Sequence, residues 1–520
     1  MVFGIMGDSN MQFLAGFAGR EGGRFVPTVH EGGAVGMADG YARSSGAVGV
    51  ASVTHGPGTT NTLTALTEAV RARSALLLMT ADTPPVREDL QNAPLAAIAT
   101  AAGADYWQVL APEHVADDIA MAVAKVATTR VPLVLNIPAA LLRQEVDYVE
   151  ASDRGVAGTT IRPSESVVAA AAALIGAARR PLVVAGRGAV DSGARESLMQ
   201  LADRLDAPVA TTLLARDYFA GDEFDLGIFG GLSHSVAQEV IDRADAVIFF
   251  GAGLNPWTTQ ERSLLDGKTI VQVTTEPRSV GRYTPVDLAV IADAGEAARA
   301  LLQALPRRER GSGLRTPDLA VRLRERDPRS DFDDVSDGET LDMRTAMIRA
   351  DEILDRGRNV VTDSGRFKVA PWRYLHVDDP RGFTHTTNFG SIGLGLATAL
   401  GVAFARPDIP TVCVAGDGGA MMNLTEFTTA VRERLPLVFI VLDDGSYGTE
   451  WTKLRDFGED PAWSLMAWPD LADVATAFGG TGRTVRTLEE LDAALALVPS
   501  LEGPLLIDVK ADPTVDVGML

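Results

Sequence analysis

The segment Thr411–Gly448, TVCVAGDGGAMMNLTEFTTAVRERLPLVFIVLDDGSYG, combines residue types suited to holding a phosphate and a hard metal ion. An apolar run enters Gly416-Asp417-Gly418-Gly419, and a helix is expected from about Leu424. Glycines at a strand-to-helix turn let backbone N–H groups approach a diphosphate, whose charge a helix N-terminus favours. Asp417 supplies oxygen ligands for Mg²⁺ or Ca²⁺, which bridge to phosphate oxygens. A second apolar run, Leu437–Leu442, ends in Asp443-Asp444-Gly445-Ser446. Asp417 and Asp444 stand 27 positions apart, about one strand–helix–strand crossover, so parallel strands would bring them to one sheet edge. A lone GDG is only a turn; paired with a second oxygen-rich strand end, it predicts a metal site.

A second group lies near the start. Glu31 follows Val29-His30 where a strand meets a helix without another acid until Asp39, and SVTHGPGTTN follows from Ser52. A carboxylate at a helix N-terminus is commonly a cap, so its position alone leaves a structural reading open.

Together these segments resemble the thiamine-diphosphate enzymes of the acetolactate synthase and pyruvate decarboxylase superfamily. That family shows GDG followed about 27 residues later by an Asn pair, and a Glu before a similar GYAR helix. The resemblance implies that Asp417 and Asp444 bind Mg²⁺ (or Ca²⁺), with the Ser446 carbonyl as a third ligand. One departure stands out: the family usually has Asn where this chain has Asp444. The resemblance also implies that Glu31 hydrogen-bonds the aminopyrimidine ring of the cofactor and promotes loss of the thiazolium C2 proton. A buried carboxyl group would suit that role. Gly416, Gly418 and Gly419 would face the diphosphate. Asp363, Ser364 and Gly365 match a further diphosphate-binding loop. Ser391 and Ile392, in Gly390-Ser391-Ile392-Gly393, match the place where an apolar residue props the cofactor into its V shape.

Four polar residues are candidates for the substrate side. Gly7-Asp8-Ser9-Asn10 resembles a decarboxylase segment in which an Asp reaches the reacting carbon, and Glu450 falls where those enzymes place a catalytic Glu. Their adjacent His pair is missing. Gln91 resembles the glutamine of carboligases, and His55 stands where relatives vary between small residues and His. The resemblance covers nearly the whole chain. It implies three consecutive doubly wound α/β parallel-sheet domains, a pyrimidine-binding domain (1–150), a middle domain (160–305) and a diphosphate- and metal-binding domain (339–520), with a linker (306–338) before the last. It further implies a homodimer or homotetramer, with Glu31 of one subunit and Asp417 of another meeting at the dimer interface.

Composition agrees with a large globular enzyme. The chain has 520 residues, 46% hydrophobic and 22% charged, with a formal net charge of −22. That charge repels phosphate backbones and anionic membrane surfaces, so neither nucleic acid nor a membrane is an expected partner. A single cysteine, Cys413, rules out an internal disulfide framework and reads as a buried thiol. No apolar stretch approaches the length of a membrane span, and no signal peptide is apparent, so a cytoplasmic location is expected. His30, His114, His234, His376 and His385 show no metal-ligand spacing and read as structural or surface residues.

Short apolar runs alternate with helical segments in three blocks, the pattern of βαβ units. In the first block, strands are expected at Phe25–Val29, Val48–Val53, Ala75–Thr80 and Val131–Ile137, with helices at Glu31–Ser44 and Thr59–Arg73. After a loose stretch, Asp147–Pro163, strands are expected at Pro181–Ala185, Ala246–Gly251 and Thr269–Val273, with helices at Ser166–Ala178 and Arg195–Leu205. The charged segment Pro306–Gly338 reads as a linker with a short helix at Pro317–Arg324. The third block has strands at Val360–Thr362, Thr411–Ala415, Leu437–Leu442 and Pro504–Val509. In the middle block, Gly186-Arg187-Gly188 and Gly251-Ala252-Gly253 mark strand-to-helix turns; the arginine-rich flavin pattern is absent, and FAD is not expected. The chain begins abruptly at Met1-Val2-Phe3-Gly4, where relatives usually carry a helix before this strand.

The expected function is an acetolactate-synthase-like carboligase or C–C lyase acting on a 2-oxo acid or an acyloin-type small molecule. Gln91 leans towards carboligation, whereas Asp8 and Glu450 lean towards simple decarboxylation with release of an aldehyde. A catalytically silent paralogue is the alternative outside enzymes, motivated by Asp444 and the abrupt start before the first strand, and opposed by the intact Glu31. A nicotinamide dehydrogenase lacks its fingerprint here.

Overall fold

The computed structural model describes residues 1–83, 88–151, 159–308, 311–515 and 517. Parts of the expected loose stretch 147–163, of the linker 306–338 and of the C-terminal tail lie outside these residues. The described chain forms three six-stranded sheets covered by helices, an α/β architecture.

The first sheet contains β1 (Val2–Gly4), β2 (Phe25–Pro27), β3 (Gly49–Ser52), β4 (Leu76–Thr80), β5 (Asp105–Gln108) and β6 (Leu133–Asn136), in the order β2-β1-β3-β4-β6-β5. The second contains β7 (Pro181–Ala185), β8 (Val209–Thr211), β9 (Asp225–Ile228), β10 (Ala246–Phe250), β11 (Thr269–Thr274) and β12 (Leu288–Ile291), in the order β12-β11-β10-β7-β8-β9. The third contains β13 (Asn359–Thr362), β14 (Phe383–His385), β15 (Thr411–Gly416), β16 (Leu437–Asp443), β17 (Thr481–Val485) and β18 (Leu505–Lys510), in the order β14-β13-β15-β16-β18-β17. Counted from its own first strand, the third sheet repeats the order of the first. The central strands pair in parallel, for example β15 with β16 from Thr411 opposite Leu437 to Gly416 opposite Leu442. Every residue of β4 and β16 is buried, because helices cover both sheet faces and leave no side for polar residues.

By contacts the chain divides into two units. The first comprises 1–158, 335–368 and 384–515, and holds the first and third sheets; the second comprises 159–334, 369–383 and 516–520. Within the first unit one apolar core runs through both sheets, joining Phe3, Met37, Leu66, Leu400 and Phe439. The helices Glu31–Ser45 and Gly395–Ala405 pack there with their backbones nearly touching. A Cβ on Gly40 would lie 2.1 Å from the Thr398 carbonyl oxygen, and one on Gly401 would lie 2.0 Å from that of Met37. This explains the small-residue composition of both helices: only glycine permits such a crossing.

Several expectations need correction. The helix expected over Thr59–Arg73 is two helices, Pro57–Thr60 and Leu63–Ala72, separated by a short break. The helix expected from about Leu424 begins at Asp417, with Gly416 as its extended N-cap, and is followed by a short 3₁₀ turn and a second helix, Phe427–Arg432. The helix Pro317–Arg324 forms as expected, yet its segment is not a free tether: Leu314 and Leu319 are buried with Leu182 and Phe249 in a core of the second unit. The segment Val369–Phe383, expected in the third block, also groups with the second unit. Cys413 is buried within β15, and burial pushes its thiol well above the ordinary range.

Candidate functional site

The expected site residues fall into two groups, both in the first unit. The first group forms at the C-terminal ends of β13, β15 and β16. Asp417 opens its helix directly after β15 and is buried; its Oδ2 accepts a hydrogen bond from Trp468 Nε1 at 2.7 Å. Burial, and then the nearby charges of Asp444 and Asp443, push its carboxyl up to about 7. Those two neighbours have cationic partners. Asp443 is paired with Lys510 Nζ at 2.6 Å, and Asp444 Oδ2 with Arg366 Nη2 at 2.7 Å. Among the described residues Asp417 has no ion pair, so a buried carboxylate is left facing two others without a cation of its own. Such a site favours an added positive charge.

The glycines of this edge keep it tightly packed. A Cβ on Gly418 would lie 2.7 Å from the Tyr447 ring, and one on Gly419 would lie 2.4 Å from Asp363 Oδ2. Asp363, at the end of β13, is itself buried. Its Oδ2 accepts from Gly393 N–H at 2.7 Å, and its Oδ1 from Thr386 Oγ1 at 2.9 Å and Leu394 N–H at 3.3 Å. One carboxylate thereby fixes the loop carrying Ser391 and Ile392, although burial still raises its pKa. Ser391 donates to the Ile392 carbonyl at 3.1 Å, and the Ile392 side chain is half-buried. Ser364 is buried, and Gly365 has φ of +145°, backbone that a side chain would strain. Glu68, buried on the helix Leu63–Ala72, accepts from the N–H groups of Asn388 at 3.2 Å and Phe389 at 2.6 Å, and so holds the other end of this loop.

The second group forms at the ends of β1 and β3. Asn10 locks the Gly7–Asn10 turn: its amide donates to the Ile5 carbonyl at 3.0 Å and to Ser52 Oγ at 3.1 Å, while its oxygen accepts from Gly7 N–H at 2.7 Å. Ser9 Oγ lies 3.0 Å from Thr54 Oγ1 and accepts from His55 N–H at 3.2 Å, tying the two strand ends together. His55 is buried, and its Nε2 lies 2.7 Å from Gln91 Oε1. That partner makes Nε2 the donor, which leaves Nδ1 as a buried acceptor with no protein partner among the described residues. Asp8, Gln12, His55, Asp89, Gln91 and Arg143 line a cavity of about 580 Å³.

Glu31 sits beside this group, half-buried, as the first residue of its helix. Its Oε2 accepts from Asn61 Nδ2 at 3.0 Å, and Oε1 would lie 3.7 Å from a Cβ on Gly58. The carboxyl group expected to be buried is therefore half open. His30 caps the helix through Nδ1, which accepts from Gly32 N–H at 2.9 Å. Glu426, wholly buried, accepts from the N–H groups of Val29 and His30, each at 3.0 Å, and so anchors the turn that presents Glu31.

Asp8, His55 and Gln91 are thus brought together, as are Asp417, Asp444 and Ser446. Ser446 N–H and Oγ both donate to Asp444 Oδ1, at 3.0 and 2.7 Å. Glu450 does not join the cavity: it is exposed on the first turn of the helix Gly448–Phe457. Of the histidines expected to be structural, His30 and His234 are helix caps. Sequence reasoning missed Arg366, Trp468, Glu426, Glu68 and Arg143. For Arg366 a signal existed, since an extra aspartate at the GDG edge calls for an extra cation, and Arg366 is three residues beyond Asp363.

The residues of the third-sheet edge suit a divalent cation and a diphosphate. They offer a buried carboxylate lacking a cation, a second carboxylate beside it, and close-packed glycines where any side chain would intrude. Among the described residues no group of three acidic, His or Cys side chains is placed to hold a metal ion by itself, so a metal there would take its remaining ligands from carbonyl, phosphate or water oxygens.

Comparison with known proteins identifies the family. Residues 1–102 match the N-terminal TPP binding domain of thiamine pyrophosphate enzymes, residues 168–301 their central domain, and residues 363–509 their C-terminal TPP binding domain. The chain belongs to the thiamine-pyrophosphate-dependent enzyme superfamily and is acetolactate-synthase-like. It is 30% identical to a sulfoacetaldehyde acetyltransferase of Alcaligenes xylosoxydans xylosoxydans over 95% of this chain and 87% of the relative. It is 30% identical to a probable 2-ketoarginine decarboxylase of Pseudomonas aeruginosa over 98% and 91%. A probable acetolactate synthase large subunit of Methanococcus aeolicus is 25% identical over 95% and 86%. No helix among the described residues is long and apolar enough to cross a membrane.

Proposed function

We propose that this enzyme is a thiamine-diphosphate- and Mg²⁺-dependent carboligase or C–C lyase that takes a 2-oxo acid or acyloin-type substrate. The observation that carries the reading is the cavity in which Asp8, His55 and Gln91 converge beside the Glu31 carboxylate. Relatives named as an acetyltransferase, a synthase and a decarboxylase are consistent with breaking or making a bond next to a carbonyl carbon. When bound, the cofactor supplies the electron sink for that step.

This chain's own residues have the following roles. Asp417 and Asp444, with the Ser446 carbonyl, hold the metal ion; Gly416, Gly418 and Gly419, with Asp363, Ser364 and Gly365, shape the diphosphate cradle. Ile392 and Ser391 support the cofactor from the loop that Asp363 and Glu68 hold. Glu31 would hydrogen-bond the cofactor's aminopyrimidine ring and bias its tautomer. His55 donates from Nε2 to Gln91, orienting its amide so that the Gln91 N–H₂ can donate to a substrate oxygen. Asp8 stands at the cavity wall as an acid–base group. In line with the family resemblance, the complete site is proposed to form between subunits of a homo-oligomer, with Glu31 and Asp417 contributed by different subunits.

Calorimetric titration of thiamine diphosphate with Mg²⁺, on wild type and Glu31→Gln, tests the reading. It is followed by assays of CO₂, free aldehyde and coupled products from a panel of 2-oxo acids. Metal-dependent binding, with turnover lost in Glu31→Gln, is expected. Failure to bind the cofactor at millimolar concentration with metal present would refute the proposal. Free aldehyde with no coupled product would select the simple decarboxylase, the reaction suggested by Asp8 at the cavity wall.

A further inference from the structure

Asp444 carries a negative charge where the resembling family usually has a neutral amide, and the structure gives that charge a dedicated partner. The Arg366 and Asp444 side chains are only 4% and 6% exposed and meet at 2.7 Å. Arg366 Nη1 also donates to Thr452 Oγ1 at 3.4 Å, and the guanidinium carbon lies 5.9 Å from the centre of the Trp451 ring. The fit is tight: a Cβ on Gly448 would come within 2.8 Å of Arg366 Nε and 3.0 Å of Asp444 Oδ2. Burying two opposite charges costs more desolvation than an apolar pair of the same volume, so stability alone is a weak reason for this arrangement. Its location supplies another reason. The pair adjoins Asp417, the carboxylate of this edge that has no ion pair among the described residues.

We infer that Arg366 is the charge-balancing residue of the metal site. Its guanidinium cancels the extra charge of Asp444, so that the Asp417–Asp444 edge meets a divalent cation with the net charge of one carboxylate. Arg366 acts through Asp444 and is a positioning residue: it holds Oδ2 while Ser446 holds Oδ1, which sets the plane of the carboxylate. The inference rests on the reading of Asp417 and Asp444 as metal ligands.

The charges predict effects of opposite sign, which a merely structural ion pair does not. Removing the cation leaves two carboxylates to attract a metal ion, whereas removing the anion leaves a buried cation to repel it. The test is Mn²⁺ titration of the full-length enzyme with saturating thiamine diphosphate, followed by the electron paramagnetic resonance signal of free Mn²⁺. Relative to wild type, Asp444→Asn should bind Mn²⁺ about tenfold more weakly and Arg366→Gln about tenfold more tightly. The double variant should return to within about threefold, and Arg366→Lys should remain close to wild type. Circular dichroism checks that each variant is folded. If Arg366→Gln does not fold, the rescue of Asp444→Asn by the second substitution decides: rescue supports the inference, and its absence overturns it. Weaker binding in both single variants, or no change in either, also overturns it. Failure of wild type to bind Mn²⁺ with the cofactor present would instead bring down the metal-site reading itself.

Discussion

Glu426 offers a sharp test of how the fold presents its candidate acid. The residue is wholly buried, and its Oε1 accepts from two consecutive backbone N–H groups, those of Val29 and His30, at 3.0 Å each. Its Oε2 accepts from Thr429 Oγ1 at 2.8 Å, and burial pushes the carboxyl above the usual range. Glu426→Ala strips both backbone donors of their acceptor and leaves a void. At roughly 1–3 kcal/mol for each unsatisfied donor, the cost should be about 4 kcal/mol. Glu426→Gln keeps the oxygen that takes both N–H groups, and the Thr429 hydroxyl can turn from donor to acceptor, so its cost should be about 1 kcal/mol. Since Glu31 is the next residue after His30, the alanine variant should also bind thiamine diphosphate at least about tenfold more weakly, and the glutamine variant close to normally. Guanidinium melts and calorimetry measure both quantities. Equal stability of the two variants, or an alanine variant with unchanged cofactor affinity, would refute the view that this carboxyl group positions Glu31.

Other outcomes follow from single contacts. Gly40→Ala should destabilise the enzyme by about 2 kcal/mol or more, because its Cβ would lie 2.1 Å from a backbone oxygen that can hardly move; an unchanged denaturation midpoint would count against the glycine-mediated helix crossing. His234 caps the helix Ser235–Arg243 by accepting from Ala237 N–H at 3.2 Å, and burial, aided by the Arg326 charge, lowers its pKa from 6.5 to about 4. A base whose pKa is depressed on folding contributes fully above 6.5. It therefore loses up to about 2 kcal/mol as pH falls towards 4, allowing for partial exposure of the ring. Melts of wild type and His234→Asn at pH 7 and 5 should show that loss in wild type alone, and equal losses would exclude His234 as its source. His55→Gln should lower kcat/KM by about tenfold on whichever 2-oxo acid is turned over and leave cofactor affinity within about twofold; a reversed pattern would move His55 from the substrate to the cofactor.

Much of the fold was legible because buried parallel strands write themselves as apolar runs. The runs at Pro181–Ala185, Thr411–Ala415 and Leu437–Leu442 need at most one added residue to match β7, β15 and β16. The strands left unassigned, β5, β9, β12, β14 and β17, all lie at or beside an open edge, where one flank is uncovered and the apolar pattern fades; Thr481–Val485, TGRTV, is the plainest case. The inner strand β8 has only three residues, too few to declare a period. The site was legible to the extent that its chemistry lies in strand ends: Asp417, Asp444, Asp8 and His55 all follow strands. Gln91 was found by resemblance. Glu450 was also found by resemblance, and within one chain its side chain is exposed on the first turn of its helix rather than in this cavity.

Most of the residues that went unread share one property: each acts through a partner far away in sequence. Glu426 serves His30 across 396 positions, Glu68 serves Asn388 across 320, and Arg366 serves Asp444 across 78. None adds chemistry of its own, so no local motif announces it. Arg366 is the instructive case. Taken by itself, an aspartate in place of the usual amide looks like damage to a metal site and lends weight to an inactive protein. Set beside a buried arginine at 2.7 Å, the same residue becomes half of a neutral pair, and the edge keeps one uncompensated carboxylate, Asp417, for a cation. The departure is therefore a weak argument for loss of function, because a site drifting out of use has no reason to retain a buried charge together with its exact counterweight.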